Sequence, residues 1–419
     1  MKPKNFIIYF FIFLWACSSE YETVFQWDKD LTAEQNIAKN AIALGNNNDF
    51  SFFDDIVRDR SIIVLGEEGH YDNATIEVKI NMINYLQKKG FQSVALEGAP
   101  FLASYIFSNP KYAELTKDWT IENLWGLTDL KEKKIQPFLK TIKERKTRIW
   151  GIDFYAMSPY DIDAVRLILN EYSTPSLISI NWDKLKILYY KKFIQVVYFG
   201  CPDCPVGKLS TEEQYELMRM IDSLSNFTQY VMFSKGANME LKVIMQWIRN
   251  LNTAFSYHKF TGIRNEDHVA LAYRNRDIQM AENIDWILKN FPNEKFIVWT
   301  ANLHGSKDIS QTRYPTDSLL YFNYQSMGEF INYAHENKMY SLAFTSYNCM
   351  PEKEIGNLEK EIANTIKNAP YAFINFESLR FAENYRDKEF ESSIMLKKQG
   401  KWLHIFDGLY YIRDQIVKE

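Results

Sequence analysis

Ser61-Ile62-Ile63-Val64-Leu65-Gly66-Glu67-Glu68-Gly69-His70 decides how this chain is read. A short apolar run ends abruptly in glycine, acid and imidazole. A helical segment follows, with Ile76, Ile80, Ile83 and Leu86 near helical spacing and Gly90 as the expected stop. The same arrangement of run, polar tip and helix recurs. Phe91 to Leu96 ends at Glu97, Arg148 to Ile152 at Asp153, and Lys295 to Thr300 at Asn302 and His304. Later candidates are Tyr340 to Thr345, Tyr371 to Phe376, and Trp402 to Ile412 around Phe406-Asp407. Short apolar runs separated by helices read as buried strands. The expected fold is α/β, a mainly parallel central sheet flanked by helices. Residues from about 161 to 285 have no run-and-tip unit and read as a large helical insertion. Its aromatics (Tyr189, Tyr190, Phe193, Tyr198, Phe199, Tyr215, Trp247) either wall a substrate cleft or pack internally, and internal packing is the simpler expectation.

In open α/β sheets, ligands bind outside the carboxyl ends of the strands. Four runs here end in Glu67/His70, Glu97, Asp153 and Asn302/His304, so parallel neighbours would bring these tips together. Gly66 is expected to let the chain turn off its strand. Glu67 and His70 are three residues apart, and a carboxylate beside an imidazole fixes its tautomer and raises its basicity. The bland reading of the same loop is a helix cap with an incidental histidine.

Composition narrows the classes. The 419 residues include 29 Phe, 26 Tyr and 10 Trp, enough to bury a sizeable core. The formal net charge of −4 and the scattered Lys and Arg argue against nucleic acid as a partner. Four cysteines exclude a disulfide scaffold.

Met1 to Cys17 has the layout of a secretory signal: Lys2 and Lys4, then the uncharged run Phe6 to Ala16. Eleven residues rise roughly 16 Å as a helix, too short for a hydrocarbon core of about 30 Å. Leu14-Trp15-Ala16-Cys17 looks like a bacterial lipobox, with Cys17 lipidated and residues 18–30 as a tether. The protein is then expected in the bacterial cell envelope, held to a membrane by lipid, with residues 31–419 as its domain.

From Val64 to Glu97 the sequence resembles the opening block of the erythromycin esterase-like family. That block has Gly-Glu-x-x-His, a helix with acidic and basic residues, then Gly-Phe and a strand ending in Glu. Gly151-Ile152-Asp153, the block Arg276 to Asn283, Trp299 to His304, and Phe406-Asp407-Gly408-Leu409 agree in order. The resemblance implies a metal-independent, cofactor-free hydrolase of carboxylic esters or lactones. It gives His70 the role of activating water, and it makes Glu67 and Glu97 supporting carboxylates. His304 matches the second His of the family's later block, and with Lys79 or Asn302 it would steady the oxyanion. Lys79, Asn302 and Asp153 are the expected substrate contacts. Two departures stand out: Ala301 where that block has its first His, and Lys79 where the helix carries Arg. Lysine keeps the charge but loses the planar fork.

Cys201-Pro202-Asp203-Cys204 reads as a local disulfide, the default for an exported CxxC. His258, His268, His335 and His404 form no recognisable cluster. Arg276 and Asp277 read as a site pair or, preferably, as a buried ion pair locking a helix onto the sheet. Two other functions fit the same tips. One is a metal-dependent hydrolase with His70, Glu97, Asp153 and His304 as ligands. The other is a non-catalytic lipoprotein that binds a ligand such as haem, which the missing imidazole at Ala301 favours.

Overall fold

The computed structural model describes residues 25–69, 72–117, 138, 140, 144, 147–154, 158, 160–172, 180–197, 209–261, 266–313, 324–348, 355–395 and 398–414. Cys17, His70, Cys201, Cys204 and Cys349 lie outside them, so the lipidation, water-activation and disulfide expectations fall on residues not described. No helix among the described residues is long and apolar enough to cross a membrane.

The expected runs form β2 (Ile62–Leu65), β3 (Phe91–Leu96), β4 (Arg148–Gly151), β5 (Lys295–Trp299), β7 (Met339–Asn348), β8 (Tyr371–Asn375) and β11 (Gly408–Asp414), though Trp402–Ile405 of the last run is helical. Four short strands lie outside those runs: β1 (Ile42–Leu44), β6 (Thr312–Arg313), β9 (Phe390–Ser392) and β10 (Lys398–Gly400). Eight of all these strands build one sheet in the order β1-β8-β11-β7-β2-β5-β3-β4. From β11 through β4 every neighbouring pair is parallel, whereas β8 runs antiparallel to both β11 and β1. A small antiparallel sheet, β6-β10-β9, stands apart.

Side chains alternate across a strand, so each buried run feeds two layers. Ile62, Val64, Trp150, Phe296 and Val298 face one core, shared with the helices between β4 and β5. Ile63, Leu65, Val94, Ile149 and Ile297 face the other, packed against the helix Asn73–Lys88. Asp72 caps that helix, accepting from Ala74 N at 2.9 Å and Thr75 N at 3.1 Å. Just past its end Gly90 takes φ +90°, the left-handed conformation that favours glycine.

Among the described residues, five helices lie between β4 and β5: Asp161–Asn170, Trp182–Val197, Thr211–Lys235, Met239–Thr261 and Glu266–Asn290. Tyr189 and Trp247 are buried here with ring centroids 5.9 Å apart, while Tyr190 and Tyr215 are exposed; the side chains of Phe193, Tyr198 and Phe199 lie outside the described ones. Phe25 and Trp27, expected in the tether, pack edge-on against Tyr385 with ring centroids 6.4 and 5.0 Å away.

Candidate active site

The strand order places the tips. β5 lies between β2 and β3, and its ladder continues beyond the strand ends: Thr300 N donates to Leu65 O at 3.1 Å, and Glu97 N to Trp299 O at 3.0 Å. Glu67, Glu97, Asp153 and His304 therefore all emerge at the carboxyl end of the sheet, and all are buried.

Glu97 is clamped by the end of β5, accepting from Thr300 Oγ1 at 2.7 Å and Ala301 N at 2.8 Å. Its other oxygen meets Arg276 Nη2 at 2.8 Å and lies 3.2 Å from His304 Nε2. Arg276 also grips Asp153 through Nε at 3.2 Å and Nη2 at 2.5 Å. Its Nη1 lies 2.9 Å from His304 Nε2. On the far side of the imidazole, Asp277 meets Nδ1 at 2.8 and 3.0 Å. Asp277 is itself fixed by Tyr324 OH at 2.6 Å and Met327 N at 2.7 Å.

Burial opposes a charge on His304, and Arg276 repels it. The carboxylates of Asp277 and Glu97 outweigh both and push the imidazole up to about 10. The protonated ring donates from Nδ1 to Asp277 and from Nε2 to Glu97. In the neutral ring that keeps its Nδ1 proton, Nε2 accepts from Arg276 instead.

A second cluster lies behind Glu67, which accepts from Lys79 Nζ at 2.6 Å and Trp299 Nε1 at 2.9 Å. Lys79 is fully buried, on the inward stripe of its helix with Thr75, Met82 and Leu86, and also donates to Thr300 O at 3.3 Å. Burial lowers its pKa to about 8, against the pull of Glu67.

Three expected substrate contacts are thus engaged within the protein. Lys79 is the partner of Glu67, and Asp153 is the partner of Arg276. Asn302 donates through Nδ2 to Phe344 O and Ile394 O, both at 2.7 Å, and accepts from Phe344 N at 3.1 Å. Its amide ties β5 to β7 because the backbone there offers a donor and acceptors that no ladder uses.

Gly66 also has a role other than the one expected. Its φ is not positive, and its N–H extends the ladder to Leu342 O at 2.9 Å. A Cβ there would lie 2.1 Å from Asn302 Oδ1, so the glycine makes room for that side chain. Arg276 makes buried ion pairs that join its helix to the sheet, as the preferred reading has it, but with Glu97 and Asp153 and not with Asp277. Each binds a different part of the site: Arg276 the carboxylates, Asp277 the imidazole.

Asp277 was legible as a site candidate in the Arg276–Asn283 block. Tyr324 was not, because it lies alone in a loop 20 residues beyond His304. The expected metal set does not suit a cation: Glu97, Asp153 and His304 already surround the guanidinium of Arg276, a permanent positive charge.

A sequence model of the erythromycin esterase family matches residues 86–354, more than half of the chain. The matched span includes Glu97, Asp153, Arg276, Asp277 and His304 and begins after Glu67 and His70. YbfO of Bacillus subtilis (strain 168), whose name assigns it provisionally to the hydrolases, is 21% identical over 325 residues, 72% of this chain and 68% of YbfO. Among solved structures, a Bacillus cereus protein superimposes with a TM-score of 0.70 at 16% identity, covering 94% of this chain and all of that one. A histidine-to-asparagine mutant of the erythromycin esterase EreC, in its open conformation, gives 0.60 at 16% identity, covering 89% of this chain and 96% of that one. At such identities what is shared is the fold. The mainly parallel sheet and the family match agree, and together with the hydrolase relative they support a hydrolase. The chain belongs to the erythromycin esterase family.

Proposed function

We propose that the protein hydrolyses a carboxylic ester or lactone with water activated by His70, without a metal. The observation that carries this reading is the environment of His304. Held between Asp277 and Glu97, whose charges favour its protonated form, it is poorly suited to take a proton from water. A protonated imidazole beside Arg276 suits the opposite task, stabilising negative charge that develops on a carbonyl oxygen. The base must then be another group, and His70, three residues after Glu67, has the chemistry for it.

In this reaction His70 takes a proton from water as the water oxygen bonds to the carbonyl carbon. The resulting oxyanion faces His304 and Arg276. The C–O bond to the alcohol then breaks, and the alcohol leaves with the proton returned from His70. Asp153 and Glu97 keep Arg276 in position, and Lys79 and Trp299 keep Glu67 oriented.

The test is a screen of aryl esters and lactones with the wild type and His70→Ala side by side. The expected loss in kcat/KM is ~10²–10⁴-fold with an unchanged circular dichroism spectrum. Full turnover by the folded mutant would remove His70 from this role. We also read Cys17 as the lipidated N-terminus, which an unmodified Cys17 within the mature chain, seen by mass spectrometry, would contradict.

A further inference from the structure

A second group of charged side chains, none of them in the candidate catalytic cluster, lines one open pocket of about 490 Å³. Its walls include Lys307, Asp308, Glu329, Asn332, Arg380 and His404, all half-buried. That volume lies within the range of sites that take small molecules, roughly 300–1,000 Å³. Lys307 comes three residues after His304. Glu329 and Asn332 stand on the helix Met327–Ala334, whose first N–H holds Asp277. The pocket thus lies against the same helix as the catalytic cluster, while Glu97, Asp153, Arg276, Asp277 and His304 do not line it.

The charges are sorted into two poles. At one, Lys307 and Arg380 share a single carboxylate oxygen: Arg380 Nη2 donates to Asp407 Oδ1 at 2.9 Å, and Lys307 Nζ donates to the same atom. The other oxygen of Asp407 accepts from Ser341 N at 2.9 Å. Glu377, also near, is paired with Arg60. Two cations against Asp407 leave this pole with positive charge in excess. At the other pole, Glu329 accepts from Gln325 Nε2 at 3.1 Å, and Asp308 accepts from Ser310 N at 3.1 Å and Gln311 Nε2 at 3.0 Å. These donors are all neutral. Among the described residues, neither carboxylate forms an ion pair, and the ion pairs of Lys307 and Arg380 go to Asp407. Burial raises the Glu329 carboxyl and Asp308 adds to the rise, while burial lowers Lys307 against the pull of Asp407. Each pole would therefore gain from an added charge of opposite sign.

A plain anion would answer Lys307 and Arg380 but be repelled by Asp308 and Glu329, and a plain cation would meet the reverse. We propose that this pocket binds a small zwitterion of the amino-acid type, with its carboxylate toward Lys307 and Arg380 and its ammonium toward Asp308 and Glu329. The assignment does not depend on the hydrolase reading.

Calorimetric titration of the full chain with glycine, γ-aminobutyrate and ε-aminocaproate tests the site over three charge separations, with butyrate and butylamine as single-charge controls. At least one amino acid should bind saturably, at least about tenfold tighter than both controls. Glu329→Gln keeps an oxygen for Gln325 and removes one charge from the acidic pole, and should weaken that binding at least about tenfold. If this variant does not fold, Asp308→Asn, which keeps an oxygen for Ser310, replaces it under the same criterion. Binding should persist in folded His304→Gln, since His304 is not a wall of the pocket. Absence of amino-acid binding by the wild type overturns the proposal. So does butyrate or butylamine binding as tightly as the amino acids, which would mean a site for one charge only. Loss of binding in His304→Gln would place the ligand in the catalytic cleft and overturn it as well.

Discussion

Asp277 meets His304 Nδ1 with both carboxylate oxygens, at 2.8 and 3.0 Å, from a helix that starts in the insertion and ends just before β5. The carboxylate fixes the ring and favours its charged form. Asp277→Asn keeps an oxygen for Met327 N and removes the charge. The His304 pKa, followed by NMR, should fall from about 10, and ester hydrolysis should drop ~10²-fold or more. An unmoved titration would mean that Glu97 alone sustains the charge.

The same shift makes a stability prediction. His304 has a folded pKa of about 10, above its unfolded value of 6.5. Its contribution is therefore fully present below pH 6.5 and is lost as pH rises through about 10. The stability difference between wild type and His304→Gln, from urea melts, should shrink steadily over that window. A difference that is flat with pH, or grows, would contradict a charged His304.

Lys79 and Glu67 form a buried pair whose halves depend on each other. Lys79→Met removes the cation from its buried pair with Glu67, and should cost ~3–5 kcal/mol in denaturant unfolding. Adding Glu67→Gln should restore most of that loss. If the double mutant is as unstable as the single, the packing of Lys79 matters more than its charge.

Gly66 and Asn302 offer a cleaner cycle. Gly66→Ala drives a methyl onto Asn302 Oδ1 and should cost ~1–3 kcal/mol. In an Asn302→Ala background the added cost should fall, leaving the tight 3.2 Å approach to Leu342 O. Equal costs in both backgrounds would place the clash elsewhere.

Ala301 keeps the backbone bond to Glu97 at 2.8 Å but offers no imidazole. We expect weak or no macrolide ring opening by the wild type, assayed by mass spectrometry of the lactone. Robust opening would show that the methyl at 301 is silent and that His304 suffices.

The strands β2, β3, β4 and β5 are legible in the sequence because each is a short, largely buried apolar run followed by polar residues, whereas β1, β6, β9 and β10 are too short and too polar to stand out. Strand order is not legible, since nothing local to Lys295–Trp299 says that it lies between β2 and β3. The tips were legible as a group for the same reason as the strands, but their pairings were not. Lys79, Asp153 and Asn302 read as available polar groups, and only the fold reveals the partners that occupy them. Arg276 reads as a structural ion pair because the pattern Ile278-Ala281-Ile284 gives its helix an apolar face to bury, and the sequence alone does not show that its partners are Glu97 and Asp153.

The position of β5 has a consequence for how the chain is made. β2 and β3 are complete by residue 96, yet neither can pair with the other, because the strand between them begins at residue 295. Until about two hundred more residues are available, both present unpaired apolar edges, the feature most prone to association between chains. Closure over so long a loop is slow. Glu67 and Glu97 acquire Trp299 and Thr300 only at that step, so a nascent chain that has not reached β5 lacks the groups that fix both carboxylates.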